Sequence, residues 1–173
     1  MSGLLFVQMH GVPGSGKSRL ARAVGEATGA FVLDKDHIAT GAIRAGVPFS
    51  EAGKVAYEAI WLILPSALEQ GFSVILDSPC FWPNIEDTGR QIAAGAGARY
   101  AMIECRCDDT AELDRRLAFR DRLESNPRER GAGAGRPGMY TPSGERLVLD
   151  CTHPLDGLVT RALSYLSSEA VQA

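Results

Sequence analysis

The 173 residues carry 18 Lys and Arg against 21 Asp and Glu, a formal net charge of −3. At about 150 residues per domain there is room for one folded unit, and a chain this long buries about 70% of its unfolded surface without disulfide or metal staples. Hydrophobic residues at 45% and charged residues at 23% exclude intrinsic disorder and collagen-like structure, and the acidic balance excludes an obligate nucleic-acid coat. The unusual count is glycine, at 19 residues.

Taken in chain order, apolar runs and helical periodicities alternate. Leu4–Met9 predicts a first strand, followed by a glycine loop and a helix over Lys17–Ala27. The run is too short to span a membrane and lacks a basic lead-in, so it does not read as a signal peptide. Ala30–Leu33 predicts a second strand ending at Asp34, then helices over Ile38–Arg44 and Glu51–Glu69, broken by Gly46-Val47-Pro48. Ser73–Leu76 predicts a third strand ending at Asp77, and Pro83 to about Ala96 a helix. A strand over Tyr100–Cys105, a helix over Thr110–Leu123, a strand over Leu147–Leu149 and a helix over Pro154–Leu166 complete the chain.

Five buried-looking strands alternating with helices predict an α/β fold, a parallel sheet with helices on both faces, in a single domain over 1–173. In such folds ligands bind at the carboxyl ends of the strands. Glu124–Gly144 departs from the alternation: it has no apolar stripe and contains Gly131-Ala132-Gly133-Ala134-Gly135. A structureless loop of that length in a compact domain is usually functional or disordered. Cys80, Cys105, Cys107 and Cys151 form no CxxC pair, and His10, His37 and His153 supply no zinc spacing. Reduced thiols and the lack of a leader imply a cytoplasmic protein.

After the first strand comes Gly11-Val12-Pro13-Gly14-Ser15-Gly16-Lys17-Ser18, a complete G-x-x-x-x-G-K-[ST] between a strand and a helix. Glycines let backbone N–H groups converge on phosphate, and the helix starting near Lys17 adds its positive dipole end. Lys17 is expected on the β- and γ-phosphates of ATP and the Ser18 hydroxyl on Mg²⁺. A GTPase would add N-K-x-D and D-x-x-G, which do not occur, and the acid–acid pair of a mechanical ATPase is absent because Ser78 follows Asp77.

The second strand ends in Leu33-Asp34-Lys35-Asp36-His37-Ile38. Here the sequence resembles the small P-loop kinases: adenylylsulfate and gluconate kinases, shikimate kinase, chloramphenicol phosphotransferase and polynucleotide kinases. The resemblance covers most of the chain in element order, with the phosphate loop and the Asp-x-Asp as its motifs. It implies a five-stranded parallel sheet of order 2-3-1-4-5 and transfer of the γ-phosphoryl group of ATP, with Mg²⁺, to a hydroxyl of a small molecule, metabolite or antibiotic. It further implies Asp36 as the base and Asp34 as a metal or substrate-positioning group. The plainer reading of Asp36 is a helix N-cap. The family's arginine after the pair is missing, Ala39 and Thr40 standing there, and Arg44 could substitute.

Asp77 resembles the strand-end acid that orders the Mg²⁺ shell, against a turn cap as the plain alternative. Phe81 and Trp82, on the loop that follows, could stack on a planar or sugar-like acceptor or simply pack under the adjacent helix. Tyr57 and Trp61, four apart, read as a core stripe. Arg116 and Arg120 share a helix face and open an arginine-rich segment, about 120–146, that includes Arg128, Arg130 and Arg136 and resembles a kinase lid, which implies that Arg116 or Arg120 neutralises the transferring phosphoryl group; the plain alternative is a solvated helix with i, i+4 Asp–Arg pairs. Thr152 and His153 are expected beside the adenine. The acceptor is thus expected between Asp36, Arg44, the Glu51–Glu69 helix and Phe81-Trp82. A nucleotide or nucleic-acid 5′-end kinase and a non-catalytic ATP-binding module are the other readings; the absence of a basic stripe counts against long nucleic acid. No membrane partner is expected, and monomer and homodimer stay open.

Overall fold

A computed structural model describes residues 3–119, 123–126, 140–142 and 144–168. The elements are β1 (Leu5–His10), α1 (Lys17–Thr28), β2 (Phe31–Asp34), α2 (Lys35–Arg44), α3 (Phe49–Glu69), β3 (Val74–Asp77), α4 (Pro83–Gly95), β4 (Arg99–Arg106), α5 (Thr110–Phe119), β5 (Leu147–Asp150) and α6 (Leu155–Ser167). All five strands pair in parallel in the order β2-β3-β1-β4-β5.

The period-2 alternation of β1 divides the core. Leu5, Val7 and Met9 pack with Leu20 and Val24 of α1 and with Leu158, Ala162 and Leu166 of α6. Phe6 faces the other way, onto Ile60, Leu64 and Leu68 of α3 and Ala93 of α4. Gln8 shares that second face and is fully buried. Its amide is satisfied: Nε2 donates to Cys80 Sγ at 3.1 Å and Ile85 O at 3.3 Å, while Oε1 accepts from the Tyr100 hydroxyl at 2.9 Å.

Helix α2 starts at Lys35, three residues before the expected Ile38, because Asp34 caps it: its Oδ1 accepts from the Asp36 backbone N–H at 2.8 Å. The strand therefore passes directly into the helix, and both acids sit at the sheet's carboxyl edge. Helix α5 is described to Phe119, short of the expected Leu123. Of the expected lid, about 120–146, Arg120, Arg128, Arg130, Arg136 and the Gly131–Gly135 run lie outside the described residues. Segment 123–126 docks on α2: Ser125 Oγ donates to Asp36 O at 2.8 Å, and Thr40 Oγ1 donates to Ser125 Oγ at 3.0 Å. All four cysteines are free and buried. Among the described residues no helix is long and apolar enough to cross a membrane.

Candidate active site

The carboxyl ends of β1, β2 and β3 open onto one cleft of about 1350 Å³. Its floor is the loop between β1 and α1. Gly11 and Gly16 hold φ of 136° and 101°, where L side chains are strained, and a Cβ on Gly11 would stand 2.3 Å from the Cys105 carbonyl oxygen. The N-cap of α1 is Gly16, which has no side chain to bond the first-turn N–H groups. Lys17 is 9% exposed and donates from Nζ to Val12 O at 3.0 Å, folded over the loop. Ser15 Oγ is buried without a hydrogen-bond partner among the described residues. A concave run of backbone at a helix N-terminus, with a lysine and an unpaired hydroxyl, is a donor set suited to phosphate.

Asp77 ends β3 at 5% exposure, and strand register places it directly opposite Asp34. Burial raises its pKa above the usual carboxylate value; Lys17 and the Ser18 hydroxyl act the other way, and Asp34 and Asp36 add to the rise. Among the described residues no group of three or more His, Cys, Asp or Glu is arranged to hold a metal alone. Ser18 and Asp77 nonetheless fit Mg²⁺, which commonly takes one or two protein oxygens and completes its shell with phosphate and water.

The two acids of β2–α2 differ in engagement. Asp34 caps α2, lies 3.0 Å from His37 Nδ1 and 3.8 Å from Arg22 Nη2. Asp36, in the first turn, pairs with Lys35 at 3.1 Å. The cap expected of Asp36 on the plain reading thus belongs to Asp34, which leaves the Asp36 carboxylate out of the capping bond. Both line the cleft.

Arg116 lies across the phosphate loop, with Nη1 donating to Gly14 O at 3.4 Å and Nη2 to Cys151 O at 3.0 Å, while Glu112 accepts from Nε at 2.6 Å. The guanidinium is thereby fixed beside Gly14 and Gly16. Arg120, expected on the same face, lies outside the described residues. Phe81 and Trp82 line the cleft; Phe81 meets His10 edge-on at 6.5 Å between ring centroids, and Trp82 is 55% exposed. His10 Nδ1 bonds the Cys80 carbonyl at 3.0 Å, and burial lowers its pKa. The neutral tautomer with Nδ1–H satisfies that bond.

Three expected residues stand elsewhere. Arg44 donates to Glu124 at 2.8 Å on the exposed surface and is not among the residues lining the cleft. Thr152 and His153 are exposed, the Thr152 hydroxyl donating to Asp150 Oδ1 at 2.7 Å and His153 Nε2 lying 3.7 Å from Asp150 Oδ2; Cys151, Leu155 and Leu158 line that end of the cleft instead. Conversely, Tyr57, Ser78 and Asn126 line the cleft although the sequence did not single them out for binding. Tyr57 does stack on Trp61 at 5.7 Å, as a core stripe would. Ser78 was within reach of the strand-end rule, since it follows Asp77; Asn126 sits where no pattern exists.

The parallel order 2-3-1-4-5, the phosphate loop after β1 and acids after β2 and β3 define the fold of the small P-loop kinases. A family model described as an AAA domain (AAA_33) matches residues 6–134, and the chain belongs to that family. Two curated relatives, the uncharacterized protein Rv2004c of Mycobacterium tuberculosis and the uncharacterized protein Mb2027c of Mycobacterium bovis, are each 33% identical over 116 residues. The match takes in 60% of this chain, which spans only 23% of the length of those relatives. Among solved structures, the Mycobacterium tuberculosis APS kinase CysC in complex with AMPPNP and APS is similar at a TM-score of 0.72 and 21% identity, over 96% of this chain and 99% of that one. A putative kinase from Chloroflexus aurantiacus gives 0.75 at 18% identity, over 96% and 97% of the two chains. A gluconokinase from Sinorhizobium meliloti gives 0.63 at 20% identity, over 94% and 91%. At these identities the likeness establishes the fold.

Proposed function

We propose that the protein transfers the γ-phosphoryl group of ATP to a hydroxyl of a small molecule. The observation that supports this most is one cleft shared by a complete phosphate loop, three acids at the ends of β2, α2 and β3, and a guanidinium lying over the loop. Loop N–H groups and Lys17 hold the phosphates; Arg116 offsets charge on the moving group. Mg²⁺ would be held by Ser18 and Asp77, with Asp34 as a third candidate, and when bound it neutralises phosphate charge. Asp36 orients the acceptor hydroxyl and takes its proton while the acceptor oxygen bonds the γ-phosphorus. The bond from that phosphorus to the β–γ bridging oxygen breaks, and its electron pair leaves with ADP. Residues 1–173 act as one kinase domain in this reading, and four reduced thiols suit the cytoplasm.

ADP release measured over a panel of hydroxyl-bearing metabolites and antibiotics tests the reading. Stimulation by an acceptor, with one phosphate appearing on it per ADP, is the expected result. Slow hydrolysis that no acceptor accelerates would leave a non-catalytic ATP-binding module.

A further inference from the structure

Four polar side-chain atoms on the wall around Asp36 are buried with no hydrogen-bond partner among the described residues: the Tyr57 hydroxyl, Ser78 Oγ, and both the Oδ1 and Nδ2 of Asn126. Ser78 is 2% and Asn126 8% exposed. The three residues come from α3, the turn after β3 and segment 123–126, and all line the cleft. They also converge. Ser78 Oγ and the Cys80 backbone lie against the Tyr57 hydroxyl, neither reaching bonding geometry, and the Asp36 carboxylate is close enough to act on it. The residue before Asn126, Ser125, is bonded to the Asp36 carbonyl. A buried polar group left unpaired costs about 1–3 kcal/mol, so a wall that carries several is built for partners the protein does not itself supply.

The chemistry of those partners follows from the groups. Hydroxyls and an amide both donate and accept, matching acceptor hydroxyls, which also do both. A carboxylate or phosphate only accepts, and buried it would need an available buried cation. On this wall Lys35 is paired with Asp36 at 3.1 Å, Arg22 with Asp34 at 3.8 Å, and Lys54 is exposed. Phe81 and Trp82 add an aromatic surface at the cleft, suited to the apolar face of a saturated ring. We propose that the phosphoryl acceptor is a neutral polyhydroxylated ring compound, a sugar or cyclitol, recognised by Tyr57, Ser78 and Asn126. The inference rests on the kinase reading and narrows it.

The test measures ADP release from Mg–ATP with myo-inositol, D-ribose and methyl α-D-glucopyranoside as neutral probes, and with D-gluconate, shikimate and D-glucose 6-phosphate as anionic ones. Wild type, Tyr57→Phe and Ser78→Ala are compared, with ADP affinity and thermal midpoint measured on each. Stimulation by a neutral probe and not by the anionic set is expected. Either variant should then lose roughly tenfold or more in kcat/KM for that probe, with ADP affinity held within about twofold and a midpoint no lower than wild type. Stimulation by the anionic set alone overturns the inference and leaves the kinase reading standing. Failure of all six probes on protein that binds ATP counts against both. Turnover within about twofold of wild type in the variants, or a midpoint several degrees lower, means that the hydroxyls serve the fold, and also overturns it.

Discussion

Replacing Asp77 by Asn should stabilise the protein without nucleotide and weaken it as a binder of Mg–ATP. Asp77 is 5% exposed, and burial together with Asp34 and Asp36 raises its pKa, so the ionised form is disfavoured in the folded state. For an acid whose folded pKa lies above its unfolded value, the favourable contribution is present below the unfolded pKa. It is lost as pH rises through the folded pKa. At pH 8 the carboxylate is therefore a cost that the isosteric amide removes. Relief of such a charge is worth about 1 kcal/mol, or roughly 2–4 °C in a protein of this size. The assay is thermal unfolding at pH 4 and pH 8, with and without Mg–ATP. Asn should raise the nucleotide-free midpoint at pH 8, change it less at pH 4, and shrink the upward shift that Mg–ATP produces in wild type. A nucleotide-free midpoint that falls at pH 8 would instead make the carboxylate a supporting group of the fold and rule out a destabilising charge at Asp77.

Three further outcomes follow from contacts elsewhere. Arg116→Ala should lower kcat by about 10²–10³-fold, read in acceptor-dependent ADP release, while shifting the thermal midpoint little, since its bonds to Gly14 O and Cys151 O are partly exposed. Gly11→Ala puts a methyl 2.3 Å from the Cys105 carbonyl at φ 136° and should cost about 1–3 kcal/mol in denaturant unfolding, with loss of nucleotide binding by calorimetry. Glu86 is 1% exposed and accepts from Arg90 at 2.9 and 2.7 Å and from the Tyr140 hydroxyl; because the Arg90 side chain is 39% exposed and can rehydrate, Glu86→Ala should cost about 1–3 kcal/mol in the same unfolding assay.

The element order was legible because strand runs and helical periodicities alternate, and β2, β3 and β5 end in an acid while a glycine follows β1. The sheet order was not: pairing β1 between β3 and β4 is a non-local choice, and only the resemblance carried it. Asp34 and Asp36 could be located but not told apart, since which of two acids caps a helix depends on where the helix starts. Arg44 shows the converse limit. Its partner Glu124 is 80 residues away, and no local pattern announces such a pair. Tyr57 reads as part of a core stripe with Trp61, and both rings do pack against the core, yet periodicity reports only where the ring packs and says nothing of its hydroxyl. Asn126 lies in a segment without apolar rhythm, so its place beside α2 emerges only from the folded chain.

Phosphoryl transfer from this cleft can be followed as label from γ-³²P-ATP appearing on a hydroxyl acceptor, in wild type and Lys17→Ala. Wild type should give labelled acceptor, and the Ala variant should lose at least about a hundredfold with the fold intact by circular dichroism. Equal labelling by both proteins would contradict transfer from this cleft.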